Sequence, residues 1–244
     1  MARRHKGSGR QVVEGRGGLP AWKRCLDYGL IALLSPAILL VGTVVGLLVR
    51  LGSAGPIFFR QKRVGCKGSQ FTCYKFRTMR VDAETESHRR HLHELIQSRQ
   101  PMTKLDAHRD PRLIPFGSVL RASGLDELPQ LLNVLRGEMS LVGPRPCIPY
   151  ECEKYQAWHW KRFDAVPGLT GLWQVSGKNH TTFEQMIQMD IDYSQRRNLW
   201  LDVRIIFKTL PALWGQYWEM RGFKSQESAP PSQALRKSVQ SYNV

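Results

Sequence analysis

The longest apolar segment of the chain runs from Tyr28 to Val49, 22 residues without a charged side chain. At a rise of ~1.5 Å per residue, a helix of this length can cross the ~30 Å hydrocarbon core of a bilayer. The segment is too long for a signal peptide and lacks a small-residue cleavage site before soluble sequence. The pattern therefore predicts a membrane helix near the N-terminus.

Ser35 and Pro36 interrupt this segment near its middle. Proline removes a backbone donor and bends a helix, and a serine hydroxyl can bond to a backbone group that is freed in lipid. The arms on either side are roughly 10 and 14 residues long, so neither spans the core alone. The proline thus permits a helix that enters the bilayer and returns.

Basic residues flank both ends of the segment: seven lie within 1–24 and five within 50–69. Positive charge marks the cytoplasmic end of a membrane helix, so both ends are predicted on the cytoplasmic side. Two interpretations fit the charges and the proline about equally. One is a re-entrant helix, and the other is a proline-kinked transmembrane helix.

The remaining pattern predicts a mixed domain after the membrane segment. Residues 55–79 hold two β-prone runs around a Gly-Cys-Lys-Gly turn, which is typical of a hairpin. Residues 82–100 are polar and helix-like, and the segment 181–184 resembles a capping box that opens another helix. Residues 199–214 suit an amphipathic helix on the bilayer or against the core.

Four leucines repeat at i, i+3, i+4 and i+7 in the central block: Leu128, Leu131, Leu132 and Leu135. This spacing predicts a helix with one buried face. Proline is tolerated only in the first turn of a helix, so Pro129 places the start near Leu125. Asp126 and Glu127 then lie at the N-terminal end, where partial positive charge favours carboxylates and phosphate.

The two adjacent carboxylates repel each other, which a divalent cation would relieve. Several cationic side chains elsewhere are candidates for the same site: Lys75, Arg77, Arg112, Arg121 and Arg145. A nucleophile, a metal carboxylate and cations are the groups needed to transfer a phosphoryl group. Acidic residues are also common in first helical turns, and the acid pair alone favours that simpler interpretation.

A glycine-rich segment, 167–179, carries Trp173 and Gln174. These side chains can stack on and hydrogen-bond a nucleobase or a sugar. A plain connecting loop is equally compatible with the spacing.

Composition points to an anionic partner. The formal net charge is +16, which suits nucleic acid, acidic lipid headgroups or phosphorylated substrates. The five cysteines have no C-x-x-C spacing, so neither a zinc site nor a disulfide framework is indicated. A nucleic-acid-binding protein and a membrane scaffold without chemistry are the rival functions. The first lacks a recognised binding motif, and the second does not explain the acids, cations and glycine loops.

Several motifs together resemble the bacterial sugar transferases, the monotopic polyprenyl-phosphate hexose-1-phosphate transferases also called phosphoglycosyl transferases. They are KRCLDYGLIALLSP, GPIFFRQKRVG, YKFRTM, LDELPQLLNVLRGEMSLVGPRP, PGLTGLWQVSGKN and MDIDYSQRRNLWLD. The likeness covers about 23–213, most of the chain. Val166 departs from it, because many members carry Lys or Arg at that position.

The resemblance implies transfer of a sugar-1-phosphate from a UDP-sugar to undecaprenyl phosphate with release of UMP. Such transfer is the first membrane step of exopolysaccharide, capsule or O-antigen synthesis. By this likeness Asp126 attacks phosphorus and forms a covalent phosphosugar intermediate, and Glu127 helps to hold Mg²⁺. The Ser35–Pro36 pair matches the break of a re-entrant helix, which favours the hairpin over the kinked span. The remaining residues that the likeness connects with the site are Arg121, Pro144, Arg145, Pro146 and Asp190.

The expected fold is α+β and mostly helical, with a re-entrant membrane helix, a small β-hairpin and amphipathic helices on the membrane surface. The expected parts are a disordered basic N-terminus (1–20), the membrane helix (21–50), a catalytic domain (51–222) and a flexible tail (223–244). The expected location is the cytoplasmic face of the bacterial inner membrane, with lipid but no nucleic acid as partner. The hexose is not specified, and a homodimer is left open.

Overall fold

The long apolar segment forms helix α1, Ala21–Gly52, in a computed structural model of the chain. The structure describes residues 19–81, 86–98, 100–102, 110, 112–177 and 180–227, with side chains only partly described in 82–97 and not beyond 215. Among these residues α1 is the one helix long and apolar enough to cross a membrane, judged by length and composition. The predicted membrane-type helix is therefore confirmed as an element.

Helix α1 continues without interruption through Ser35 and Pro36. The position that was predicted as a break is therefore occupied by a proline inside one helix. Pro36 has no N–H to give to the carbonyl four residues earlier, that of Ala32. The Ser35 hydroxyl donates to this Ala32 carbonyl oxygen at 2.8 Å. The serine thus satisfies the acceptor that the proline leaves unpaired, which is why the helix does not end here.

Both ends of α1 pack against the rest of the chain, and its middle does not. Near the N-terminal end, Ile31 packs against a cluster of Phe71, Cys73, Val134 and Met139. Near the C-terminal end, Val45 and Val49 are buried in a second cluster with Phe76, Ile114 and Leu120. Between these ends, Leu33, Leu39 and Leu40 are about 70 % exposed.

The predicted hairpin is confirmed. Strands β1 (Phe58–Val64) and β2 (Gln70–Phe76) pair antiparallel, with Phe58 opposite Phe76 and Val64 opposite Gln70. The turn requires positive φ angles at Lys67 and Gly68, 53° and 80°. Helix α2, Glu86–Gln97, follows and confirms the helical pattern over the described part of 82–100.

A short run of elements then leads to a second sheet. The order is α3 (Gly117–Ser123), a 3₁₀ helix (Leu125–Gln130), α4 (Leu131–Leu135), strand β3 (Ser140–Val142), α5 (Pro149–Cys152), a 3₁₀ helix (Ala157–Asp164), strand β4 (Gly168–Thr170) and α6 (Leu172–Val175). Strands β3 and β4 pair in parallel. This pair was not predicted, because three-residue strands are too short to show a period.

Glycines permit the close approach of these two strands. A Cβ atom on Gly168 would lie 2.0 Å from the Gly143 backbone nitrogen, and one on Gly171 would lie 2.1 Å from the Gly143 carbonyl oxygen. Any side chain at either position would push β3 and β4 apart. Over the described residues 167–177, the segment that was predicted as a loop forms strand β4 and helix α6, so that prediction is wrong there.

Two long helices complete the fold. Helix α7 (Phe183–Arg196) begins at a capping box of Thr182 and Gln185, one residue later than predicted. Helix α8 (Leu199–Glu227) extends beyond the predicted 199–214 and past the predicted domain boundary at 222. Trp200, Phe207 and Trp214 of α8 are at least 65 % exposed. The fold is therefore α+β and mostly helical, as predicted.

Candidate active site

Asp126 and Glu127 lie in the first turn of the 3₁₀ helix Leu125–Gln130. Gly124 precedes them with a φ of +72°, a conformation that glycine adopts without strain. The Glu127 N–H donates to the Gly124 carbonyl oxygen at 3.0 Å, which closes a tight 3₁₀ turn. The predicted helix therefore begins at Leu125, near the expected position, but its first part is 3₁₀ and only Leu131–Leu135 are α-helical.

The predicted buried face of this helix is wrong at two of its four leucines. Leu132 and Leu135 are each 49 % exposed, whereas Asn133 is fully buried. The Asn133 side chain accepts from the Tyr74 N–H at 3.2 Å and donates to the Thr72 carbonyl oxygen at 2.7 Å. Asn133 faces inward because it bonds to the edge of strand β2. Leu132 and Leu135 face outward, whereas Leu128 packs against the core cluster that contains Val45 and Val49.

Lys75 joins strand β2 to the acid pair. Its Nζ lies 2.5 Å from Glu127 Oε1. Asp126 is only 8 % exposed, while Lys75 and Glu127 are partly exposed. A nearly buried carboxylate next to an ion pair at the surface is an arrangement that can receive a phosphate group.

The Pro144-Arg145-Pro146 turn is fixed by its backbone. Four consecutive carbonyl oxygens accept hydrogen bonds from four separate donors, in each case at 2.9 Å. The donors to Pro144, Arg145, Pro146 and Cys147 are the Gly168 N–H, Arg162 Nη2, Arg63 Nη1 and the Val64 N–H. The turn is thus held in one conformation by strands β1 and β4 and by the 3₁₀ helix that carries Arg162.

A chain of buried charges continues from this turn. Arg145 Nη1 lies 3.2 Å from Glu151 Oε2, and Arg162 contacts both Glu151 and Asp190. Glu151, Arg162 and Asp190 are all fully buried. Arg145 keeps a side-chain exposure of 23 %, so the network reaches the surface through this arginine.

The electrostatics of the network follow from burial and pairing. Burial by itself raises the pKa of Glu151, but Arg145 and Arg162 outweigh it and hold that pKa below its usual value. Burial raises the pKa of Asp190 to about 6, against the attraction of Arg162 and Arg145. With Arg63 beside Arg145, three arginines face two carboxylates, so one positive charge is left to attract an anion.

Comparison with known proteins matches the family model "Bacterial sugar transferase" to residues 19–216. The chain belongs to this family. The sugar transferase is 44 % identical, over 185 residues, to an exopolysaccharide production protein of Sinorhizobium fredii. That match covers 74 % of the sugar transferase and 78 % of the relative.

Two further relatives have more specific names. A UDP-glucose:undecaprenyl-phosphate glucose-1-phosphate transferase of Caulobacter vibrioides is 40 % identical over 199 residues, covering 78 % of this chain and 69 % of the relative. An undecaprenyl-phosphate galactose phosphotransferase of Salmonella typhimurium is 40 % identical over 161 residues, covering 64 % of this chain. The match spans 33 % of the Salmonella protein.

Two of the predicted substrate-binding arginines have structural partners in this sugar transferase. The buried Arg77 donates to the carbonyl oxygens of Ser53 and Ala54, at 2.7 and 2.6 Å, and so fixes the chain just after α1. Arg112 forms a salt bridge with Asp110 at 2.7 Å. Its hydrogen bonds hold the pKa of the Asp110 carboxyl below the usual value, and Arg121 adds to this effect.

The structure places Trp173 in the core instead of on an open surface. It is 4 % exposed and packs with residues that include Leu95, Phe183 and Met186. Its indole N–H donates to the Thr181 hydroxyl at 2.6 Å. The neighbouring Gln174 Oε1 is buried, and no hydrogen bond reaches it from the described residues. Stacking of a nucleobase on Trp173 would require this side chain of helix α6 to leave the core.

The buried partners of the predicted residues are not marked by the sequence pattern. Glu151 and Arg162 carry the charge network, yet neither stands in a periodic segment or a motif that marks it. Lys23, Tyr193 and Asp202 form a buried cluster between α1, α7 and α8. They lie within two of the motifs that carry the family resemblance, but no contact between them was predicted.

No group of three or more His, Cys, Asp or Glu side chains that could hold a metal is found in the described part of the chain. Mg²⁺ is usually bound through one or two carboxylates together with waters and substrate phosphates, so a third acid is not required. The adjacent carboxylates of Asp126 and Glu127 have the chemistry of such a site. The two residues therefore fit a divalent metal of this kind.

Proposed function

We propose that this sugar transferase moves a sugar-1-phosphate from a UDP-sugar to undecaprenyl phosphate and releases UMP. The observation that carries the proposal is the nearly buried Asp126 beside the Glu127–Lys75 ion pair, in a chain of this family. The names of the Caulobacter and Salmonella relatives support the acceptor and the type of reaction. The hexose differs between those two names, so no hexose is assigned to this chain.

The proposed reaction has two displacements at one phosphorus atom. A carboxylate oxygen of Asp126 bonds to the phosphorus that carries the sugar, and the bond to the bridging oxygen breaks, so UMP leaves with that oxygen. An oxygen of undecaprenyl phosphate then bonds to the same phosphorus and releases the Asp126 carboxylate. The product is a diphosphate-linked lipid sugar, and the enzyme is restored.

The surrounding cations fit this chemistry. Negative charge develops on the phosphoryl oxygens and on the departing phosphate, and preorganised positive groups stabilise it. Lys75 lies beside the acid pair, and Arg145 is held at the exposed end of its buried network. Glu127 would help to hold Mg²⁺, which when bound supplies further positive charge to the diphosphate.

We also propose that the enzyme is monotopic, with α1 entering and leaving the bilayer on the cytoplasmic side. Both ends of α1 pack on the catalytic part of the chain, and the apolar middle is exposed. A helix that crossed the bilayer from end to end would carry one end away from that part. A re-entrant helix leaves the active site at the surface, where the phosphate of a lipid acceptor lies.

The test uses purified enzyme in lipid nanodiscs with Mg²⁺, a panel of UDP-sugars and undecaprenyl phosphate. UMP release that depends on the lipid phosphate is expected for at least one donor. With radiolabelled donor and no acceptor, the label should be found on the peptide that contains Asp126. Asp126→Asn should abolish both the UMP release and the labelling of the peptide. Asp164→Asn, at an exposed position, should keep both. Full turnover by Asp126→Asn would overturn the proposed intermediate.

A further inference from the structure

Two cysteines lie in contact beside the Pro144-Arg145-Pro146 turn. The sulfur atoms of Cys147 and Cys152 are 2.9 Å apart, and both residues are free thiols in the structure. A disulfide bond is about 2.05 Å long, so the two atoms need to approach each other by about 0.9 Å in order to bond. Only the short segment between the two cysteines has to adjust, because four residues separate them.

The two thiols differ in exposure and in how firmly their backbone is held. Cys147 is fully buried, and its carbonyl oxygen accepts from the Val64 N–H of strand β1 at 2.9 Å. Cys152 is half-buried and is the last residue of the one-turn helix α5. An oxidant from solvent therefore reaches Cys152 first, and Cys152 is the residue that has to move.

The two cysteines flank the ion pair that holds Arg145. Cys147 stands two residues after Arg145, and Cys152 directly follows Glu151. The buried Glu151 carboxylate lies 3.2 Å from the Arg145 guanidinium. A bond between the two sulfur atoms closes a ring of residues 147–152, which contains Glu151. A movement of Cys152 towards Cys147 therefore also moves the carboxylate that holds Arg145.

A peroxide is the class of oxidant that fits two neighbouring thiols. The Cys152 thiolate attacks one oxygen of hydrogen peroxide, the O–O bond breaks, and Cys152 becomes a sulfenic acid while the other oxygen leaves as water. The Cys147 sulfur then attacks the Cys152 sulfur, the S–O bond breaks, and a second water leaves. In total the two thiols lose two hydrogen atoms, and one peroxide is reduced to two waters.

The surroundings of Cys152 keep the first of these steps slow. The hydrogen bond with Cys147 and burial both raise the pKa of the Cys152 thiol, and Arg162 opposes the increase. The thiolate is the reactive form, so only a small fraction of Cys152 reacts at any time near neutral pH. Once a sulfenic acid has formed, the second thiol is already in contact with it. The pair therefore stays reduced at low peroxide and ends as a disulfide when peroxide is abundant.

We propose that Cys147 and Cys152 form a peroxide-sensitive pair whose disulfide displaces Arg145 and reversibly inhibits the enzyme. This inference rests on the proposed function, in which Arg145 stabilises negative charge on the transferred phosphate. Because strand β1 holds Cys147, the approach of the sulfur atoms shifts the end of α5 and Glu151 with it. A misplacement of about 1 Å in a positioning contact can reduce a rate by about a hundredfold.

The test treats purified enzyme in nanodiscs with hydrogen peroxide and analyses one sample by activity and by mass spectrometry. The peptide that contains both cysteines should lose the mass of two hydrogen atoms and should resist alkylation by N-ethylmaleimide until dithiothreitol is added. UMP release should fall by about fivefold or more. Dithiothreitol should restore it to within about twofold of the untreated rate. A loss of activity that dithiothreitol does not reverse would overturn the inference, as would a disulfide that leaves UMP release unchanged.

Matched serine variants separate this pair from other sites of oxidation. Cys152→Ser should keep the activity of the reduced enzyme within about twofold and should lose the sensitivity to peroxide, and Cys152→Ala should behave in the same way. Cys66→Ser is the control, because Cys66 is also half-buried but lies in the turn of the β1–β2 hairpin. It should remain as sensitive as the parent enzyme. Equal sensitivity of the parent and Cys152→Ser would overturn the inference. If the reduced parent released no UMP from any UDP-sugar, the proposed function would fail, and the mass of the peptide would still test the bond.

Discussion

At the scale of single residues, the role of each acidic side chain in the site depends on how deeply its charge is buried. Asp126 is nearly buried at the start of a 3₁₀ helix, while Glu127 next to it reaches Lys75 at the surface. Asp190 is fully buried and contacts Arg162, and it also lies close enough to Arg145 for that residue to lower its pKa directly. The acid pair performs the proposed chemistry, and Asp190 holds an arginine in place.

The predicted site residues also divide into those at the proposed reaction centre and those that are buried and bonded within the protein. Asp126 and Glu127 could be located from Pro129 and from helix-start rules, because these effects act over a few residues. Arg77 and Trp173 were expected at the substrate, but each is buried and bonded to the protein. Which cation faces solvent is decided by contacts between distant segments, and a pattern of residue types does not contain that information.

The titration of Asp190 leads to a prediction about pH. Its pKa is about 6 in the folded enzyme, because burial outweighs the attraction of Arg162 and Arg145. Below pH 6 the carboxyl takes up a proton, and the arginine network loses a negative charge. We expect kcat/KM for the donor to fall below about pH 6, measured by UMP release from pH 4.5 to 8. Asp190→Asn should be slow throughout and should lack this acidic limb.

The pH dependence of the free energy of unfolding distinguishes this loss of activity from loss of the folded state. The folded pKa exceeds the ordinary value of 3.8, so the folded enzyme binds the proton more tightly than the unfolded chain. Between pH 6 and 4 this group therefore raises the free energy of unfolding as the pH falls, by up to about 1.4 kcal/mol per unit. Activity should decline where this contribution grows. An acidic limb that persists in Asp190→Asn would contradict the assignment, and the exposed Asp164→Asn serves as control.

At the scale of elements, α1 shows how a helix keeps a proline in an apolar segment. The Ser35 hydroxyl bonds to the Ala32 carbonyl, which Pro36 leaves without a donor. An unpaired carbonyl costs several kcal/mol in lipid, so the serine makes the proline tolerable there. The element and its length were predictable from hydropathy. The short strands β3 and β4 were not, since their pairing depends on glycines in two distant segments.

Removal of the proline should change the topology of α1. Pro36→Ala restores a backbone donor and allows a straighter helix that is long enough to span the bilayer. Ala21→Cys and Arg60→Cys, each in a Cys25→Ser background, are to be labelled in intact cells with a membrane-impermeant thiol reagent. In the parent protein, both introduced cysteines should be protected from the reagent in intact cells and should react after permeabilisation. In Pro36→Ala, position 21 should become labelled in intact cells.

A matched change is available in α8, where Pro211 also lies inside a helix. Pro211→Ala should leave the labelling of both positions unchanged, because it removes a proline outside α1. Labelling of either cysteine in the parent protein would contradict the re-entrant topology. Identical labelling of the parent and Pro36→Ala would show that the proline does not determine it.

At the scale of the whole molecule, a buried polar cluster joins the membrane helix to the C-terminal helices. Lys23 of α1 forms an ion pair with Asp202 of α8 and donates to the Tyr193 hydroxyl of α7 at 2.9 Å. Asp27, one turn further along α1, accepts from the Leu141 N–H at 3.1 Å. Lys23, Asp27 and Asp202 are each at most 2 % exposed. The anchor is thus bound to the catalytic part through charges that water does not reach.

This cluster predicts strong coupling between Lys23 and Asp202. Removing one member of a buried pair leaves an unpaired charge and costs about 3–5 kcal/mol, whereas replacing both is much less harmful. We expect Lys23→Met and Asp202→Asn each to lower the thermal unfolding midpoint of detergent-solubilised enzyme substantially. The double variant should lose less than the sum of the two, with a coupling of at least about 2 kcal/mol. Arg24→Met, at the exposed neighbouring position, should change the free energy of unfolding by no more than about 0.5 kcal/mol. Additive losses would mean that the two charges do not stabilise each other, and the attachment of α1 would then rest on its apolar contacts alone.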